Sequence, residues 1–103
     1  MNNLPAKLRR ELSEDPYYQK CCITGLTNVK IDWHHNFIYQ GRQLQEKWCI
    51  LPLAEYIHKE IDKYKEKCDW IMLNRTDEGT LKKYSRGRDL LTYRKCLNGK
   101  YDN

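Results

Sequence analysis

Residues 29–35 have the sequence VKIDWHH and place two adjacent histidines at the end of an alternating apolar and polar segment. This alternation predicts a half-buried β-strand, because successive side chains of a strand point to opposite faces. Residues 22–25 (CITG) precede it, and residues 25–28 (GLTN) have turn character, so we expect a β-hairpin of 22–25 with 29–33. His34 and His35 would then point to opposite sides, which lets one bind a ligand while the other stays free.

A long helix is predicted to begin near Leu53, after a brief extended segment at 48–53 (WCILPL) that Pro52 interrupts. Apolar residues recur at intervals of three and four, which is typical of a helix with one face in the core. They are Leu53, Ile57, Ile61, Tyr64, Cys68 and Ile71. Residues 36–47 lack a period, which indicates an irregular loop between the strand and this helix.

The flanks of this central segment are predicted to be helical. Residues 4–14 carry a leucine every four positions and end before the Asp15-Pro16 pair, which disfavours helical backbone. One helical turn is expected at 80–85 and a last helix at 88–97, stopped by Asn98-Gly99. The fold class is therefore α+β, with residues 1–103 as a single domain, a core at 16–74 and a basic C-terminal extension at 75–103.

Composition excludes several classes of protein. No stretch of the 103 residues is long and apolar enough to span a membrane, and the N-terminus lacks the apolar segment of a secretory signal. The five cysteines are an odd number, which makes a disulfide framework a poor explanation. We therefore expect a cytoplasmic protein with reduced thiols, in which Cys21, Cys22, Cys68 and Cys96 are small buried side chains.

The net charge of +5 is unevenly distributed. Residues 1–74 hold 11 basic and 10 acidic residues, whereas residues 75–103 hold 8 basic and 4 acidic ones. Such an excess is typical of a segment that faces a polyanion, and a solvated helix surface is the alternative. The candidate phosphate contacts are Arg86, Arg88, Arg94 and Lys95.

Histidines and one carboxylate form a candidate metal site. His58 and Asp62 are four residues apart, so they would share a face of the predicted helix, opposite the strand-end His34 and His35. Imidazole and carboxylate ligands suit Zn, Mn, Ni and, more weakly, Mg. In the alternative interpretation the histidines are surface residues and Asp62 pairs with a neighbouring lysine, Lys59 or Lys65.

The order of these features resembles the HNH endonucleases, which have the ββα-metal fold. The resemblance covers residues 16–74: strand, turn, strand ending in DWHH, loop, then CILPL and a helical histidine. It implies that His34 is a metal ligand, His35 the general base and His58 the helical ligand. Subtypes such as the colicin DNases have a further ligand one helical turn later, which falls on Asp62.

Two positions depart from the family pattern. The asparagine that pins the loop in that family falls on Cys49, which lacks an amide. Many members also hold a structural zinc between two Cys-x-x-Cys pairs. Here Cys21 and Cys22 are adjacent, and the second pair falls on Ala54 and Ile57, so no structural zinc is expected.

The resemblance implies hydrolysis of phosphodiester bonds in DNA with one divalent metal ion, Mg, Mn, Ni or Zn. RNA is an open alternative substrate, and Arg42 is a candidate phosphate clamp. Small free-standing proteins of this family occur in phages and mobile elements, which indicates a bacterial or phage-infected host cell. A homodimer would place one active site on each of the two DNA strands. The rival interpretations are a non-catalytic nucleic-acid-binding module on the same fold and a protein-interaction domain that uses the long helix.

Overall fold

The computed structural model describes residues 4–102, so residues 1–3 and 103 of the predicted domain lie outside it. The fold is α+β. Its helices are α1 (Ala6–Glu14), α2 (Glu55–Lys59), α3 (Lys65–Leu73), α4 (Glu78–Lys83) and α5 (Leu90–Tyr101), and its strands are β1 (Ile31–His35), β2 (Ile38–Tyr39), β3 (Arg42–Gln43) and β4 (Ile50–Ala54). Across residues 4–102, no helix has both the length and the apolar character needed to cross a membrane.

Strand β1 pairs antiparallel with β4, with Ile31 opposite Ala54 and His35 opposite Ile50. The predicted hairpin of 22–25 with 29–33 is therefore wrong. Residues 22–25 form a turn instead, and Cys22 donates its backbone N–H to the Pro52 carbonyl at 2.9 Å. All five residues of β4 are buried, so pairing with β4 brings β1 against the apolar interior.

A short hairpin, with two residues in each strand, lies within the segment 36–47 that was predicted to be irregular. Strands β2 and β3 pair antiparallel, with Tyr39 opposite Arg42. The turn between them holds Gln40 and Gly41, both with positive φ, at 52° and 79°. Glycine tolerates this left-handed backbone without steric cost, which explains why the hairpin turns at Gly41.

The predicted continuous helix from Leu53 to Ile71 is also wrong. Leu53 belongs to β4, and α2 ends at Lys59 before a 3₁₀ turn at Ile61–Lys63 and then α3. Tighter hydrogen bonds replace the α-helical ones, from Glu60 N to the Ile57 carbonyl (3.0 Å) and from Tyr64 N to the Ile61 carbonyl (2.9 Å). No Gly or Pro lies between 55 and 71, so the break does not result from a helix-breaking residue. The protein-interaction alternative thereby loses its long helix.

Two hydrophobic clusters form the interior. The larger joins β4 to α3, α4 and α5, and Leu90 and Leu97 of α5 are 2% and 3% exposed within it. The C-terminal extension is therefore part of the core. The predicted helix stop at Asn98-Gly99 is wrong, because α5 runs through both residues to Tyr101. The smaller cluster confirms the leucine stripe of the first helix and consists of Leu4, Leu8, Leu12, Tyr18 and Ile50.

Cysteine burial matches the prediction in part. Cys21 and Cys68 are buried and Cys22 is half-buried, but Cys96 is exposed on α5, so the prediction for Cys96 is wrong. Cys21 lies in the same cluster as Ala54 and Ile57, the two positions at which a second zinc-binding cysteine pair was considered from the sequence. Apolar packing therefore joins the 21–25 turn to the start of α2.

Candidate functional site

The antiparallel pairing of β1 with β4 brings the end of one strand close to the start of a helix. Asp32 and His34 alternate with Trp33 and therefore share one face of β1. The chain leaves β4 at Ala54 and enters α2 at once, which returns His58 over that face. His34 and His58, which are 24 positions apart in sequence, thus lie next to each other.

The rings of His34 and His58 meet edge to face, with 5.0 Å between their centroids. His58 Nδ1 lies 3.0 Å from Asp32 Oδ2. An ionised carboxylate only accepts hydrogen bonds, so Nδ1 is the protonated nitrogen of His58. A neutral His58 then holds its lone pair on Nε2.

His34 has an equivalent partner on its other side. Its Nε2 lies 3.1 Å from Asn36 Oδ1, and the Asn36 amide nitrogen donates to Asp69 Oδ1 at 3.0 Å. The Tyr93 hydroxyl donates to the second Asp69 oxygen at 2.7 Å. These bonds orient Asn36 as an acceptor for His34, so a neutral His34 holds its lone pair on Nδ1.

The protonation state of His34 suits metal binding. Burial, together with the neighbouring His58, lowers the pKa of His34 to about 4. At neutral pH the ring is therefore uncharged, which is the form of imidazole that binds metal ions. Metal-ligating histidines commonly donate their other ring N–H to a carboxylate or amide oxygen, as the rings of His34 and His58 do here.

The structure brings together two of the predicted metal ligands, His34 and His58. Within residues 4–102 no group of three or more His, Cys, Asp or Glu side chains is arranged to hold a metal ion. His34 and His58 therefore supply two imidazoles, and water or a substrate oxygen would have to complete the coordination.

His35 points away from this pair and is only 8% exposed. Its Nε2 lies 3.2 Å from the side-chain oxygen Oε1 of Gln45, in the loop before β4. Gln45 was not predicted from the sequence, because the resemblance places the loop amide at position 49. Cys49 is instead wholly buried, and burial raises the pKa of its thiol. The amide that contacts the second histidine thus comes from four residues earlier.

The structure does not bring Asp62 to the histidines. Asp62 is exposed on the 3₁₀ turn after α2, since the helix that would have aligned it with His58 ends at Lys59. Asp32 contacts His58 instead, a role that was not predicted from the sequence. Asn36 and Asp69 were also missed; the position of Asn36 directly after the two histidines was the signal available.

The candidate phosphate-binding residues are dispersed. Arg42 is exposed on β3. Arg86 and Arg88 line a cavity that also contains Asn36, and the Arg88 guanidinium lies 4.0 Å from the centre of the Tyr93 ring. Arg94 instead faces Glu78 at 3.5 Å, and Lys95 is exposed on α5. Of the candidate phosphate-binding residues, Arg86 and Arg88 are thus the two that line the same cavity as Asn36.

The site therefore consists of an Asp32–His58–His34–Asn36–Asp69 chain on one face of β1 and a His35–Gln45 pair on the other. Its residues present two imidazoles on the first face and one on the second. No protein-family model, curated protein or solved structure matches the chain.

Proposed function

We propose that the protein is a metal-dependent endonuclease that hydrolyses phosphodiester bonds in DNA on a ββα-metal core. The observation that carries this proposal is the His34–His58 pair, with ring centroids 5.0 Å apart and each ring anchored through its other nitrogen. Two imidazoles held in fixed orientations at a strand end and a helix start are suited to a divalent cation.

The order of the elements supports the same core. Strand β1 ends in the two histidines, a loop follows, β4 pairs with β1, and α2 begins at the next residue. This is a strand–loop–strand–helix unit in which the helix carries His58. The resemblance identified from sequence used a different first strand, but it assigned the same three histidines.

The chain's own residues would divide the work between the two faces of β1. His34 and His58 would hold the metal ion, with Asp32 and Asn36 fixing the ring orientations. When bound, the metal would offset negative charge on the leaving oxygen and the nonbridging phosphate oxygens. His35 would accept a proton from the attacking water through Nδ1, while its Nε2–H stays bonded to Gln45.

A non-catalytic nucleic-acid-binding module on the same fold is the second candidate. It is favoured by the burial of His35, which is 8% exposed and faces away from the metal-site imidazoles. A general base has to come within hydrogen-bond reach of the attacking water, directly or through one water molecule. In this second case the His35–Gln45 pair would serve only to hold the loop.

A nicking assay on supercoiled plasmid separates the two candidates. The parent protein with Mn²⁺ or Mg²⁺ should convert supercoiled DNA to the open circular form, and EDTA should stop the reaction. Restoring excess metal should restart it. Binding of the plasmid with no metal-dependent nicking would contradict the endonuclease and favour the binding module.

A further inference from the structure

A cavity of about 430 Å³ lies beside the metal-site face, between the β2–β3 hairpin, α3 and the start of α5. Its volume falls within the range of about 300–1,000 Å³ that is usual for small-ligand sites. Aromatic rings form part of its wall. Tyr39 meets Tyr84 edge to face with centroids 4.9 Å apart, and Phe37 stacks on Tyr39 at 6.3 Å. Tyr84 is buried, whereas Phe37 and Tyr39 are half-buried, so Phe37 and Tyr39 are the rings of this group that can contact a planar ligand.

The charged residues around the cavity favour an anionic ligand. Lys65, Arg86 and Arg88 line it, against one carboxylate, that of Asp69. Both oxygens of Asp69 already accept hydrogen bonds, from the Asn36 amide and the Tyr93 hydroxyl. Arg86 and Arg88 are exposed, so their guanidinium groups are accessible to phosphate oxygens.

Asn36 connects this cavity to the metal-site histidines. Its side chain lines the cavity, and its Oδ1 lies 3.1 Å from His34 Nε2. Lys65 also lines the cavity. A ligand in the cavity would therefore lie next to a phosphate bound at His34.

We propose that this cavity binds the base of an unpaired nucleotide, so that the preferred substrate is DNA with a single-stranded segment. The inference rests on the proposed nuclease function for the identity of the ligand. Aromatic rings stack with bases of any sequence, and the basic rim suits the adjoining phosphates. A base inside a duplex is covered on both faces by its neighbours and cannot enter without being unstacked.

Binding in EDTA tests the cavity without cleavage. Fluorescence anisotropy would compare a labelled 12-nucleotide single strand with a fully paired 12-base-pair duplex. Tyr39→Leu should weaken single-strand binding about 5- to 100-fold, the range expected for one lost base–aromatic stack, and change duplex binding little. The matched control is Tyr56→Leu, an exposed tyrosine on α2 that is 49% exposed and outside the cavity.

A charge pair provides a second test if Tyr39→Leu disturbs the fold. Arg86→Gln with Arg88→Gln should weaken single-strand binding and lower its log–log salt slope by roughly 0.7 per lost phosphate contact. The control removes two exposed charges elsewhere, Arg10→Gln with Lys20→Gln. Equal effects of the two double variants, or parent-like binding by Tyr39→Leu, would overturn the inference.

Cleavage assays distinguish failure of this inference from failure of the proposed function. Faster cutting of a duplex that contains an unpaired loop than of a fully paired one supports the base cavity. Nicking that is indifferent to the unpaired loop and to Tyr39→Leu overturns the cavity and leaves the nuclease intact. Tyr39-dependent single-strand binding without any cutting supports the cavity and overturns the nuclease. If thymidine 5′-monophosphate binds as tightly as the 12-nucleotide single strand, the assignment of the ligand to DNA is overturned.

Discussion

The two faces of β1 carry neighbouring histidines in unlike surroundings. On one face His34 meets His58, Asp32 and Asn36 in a half-exposed polar chain. On the other face His35 is 8% exposed and contacts the Gln45 amide. The difference shows how two consecutive residues of a strand can have different surroundings, because the pleat directs their side chains to opposite faces. Under the proposed function, one face binds a cation, and the other holds a single imidazole in a fixed orientation.

The largest expected effect is on His35. His35→Ala should lower plasmid nicking by about 10²- to 10⁴-fold, the usual contribution of a general base. Affinity for Mn²⁺, measured by calorimetric titration, should stay at the parent value, because His35 lies on the face away from His34 and His58. If His35→Ala retains near-parent turnover, His35 is not the general base, and the proposed difference in function between the two faces is wrong.

The metal-site face should respond in the opposite way. His58→Ala and His34→Ala should each greatly reduce calorimetric Mn²⁺ or Zn²⁺ binding. Asp32→Asn should reduce it about 10- to 100-fold, because an outer carboxylate orients the ligating ring. Asp62→Asn is the matched control and should bind metal like the parent, since Asp62 is exposed beyond the end of α2. A larger loss from Asp62→Asn than from Asp32→Asn would contradict this arrangement.

Gln45 should have a smaller effect that is confined to the His35 face. Gln45→Ala removes the hydrogen bond to His35 Nε2, and we expect about a 2- to 10-fold loss of nicking rate from one lost neutral hydrogen bond. Metal binding should not change. Gln43→Ala, an exposed glutamine on β3, is the control. If both variants behave alike, the amide of Gln45 does not position His35.

Metal removal should leave the fold unchanged. Dialysis against EDTA should preserve the far-ultraviolet circular dichroism and the melting temperature, because Cys21, Ala54 and Ile57 join the 21–25 turn to α2 by apolar packing. Ile57→Ala is the contrasting variant and should cost about 2–5 kcal/mol of unfolding free energy. A chain that unfolds in EDTA would mean that a metal ion also contributes to the core.

Local sequence signals predicted several elements well. The leucines at 4, 8 and 12 predicted α1, the alternation at 29–35 predicted most of β1, and the last helix was predicted at 88–97, close to the start of α5 at Leu90. Each of these patterns depends on residues within a few positions of one another. Pairing between strands does not, and residues 22–25 were a plausible partner by turn chemistry alone. The fully buried apolar β4 forms the ladder instead, since burying it requires contacts from distant parts of the chain.

The same distinction applies to the site. The sequence by itself determined that His34 and His35 end a strand and that His58 lies on a helix. It also determined that His34 and His35 point to opposite faces, because the two-residue period of a strand is a local property. Only the tertiary structure decided their partners. The end of α2 at Lys59 leaves Asp62 in solvent, the β1–β4 register brings Asp32 under His58, and the loop before β4 supplies Gln45 to His35. These contacts arise from how separate elements pack together, which the spacing of residues along one element does not specify.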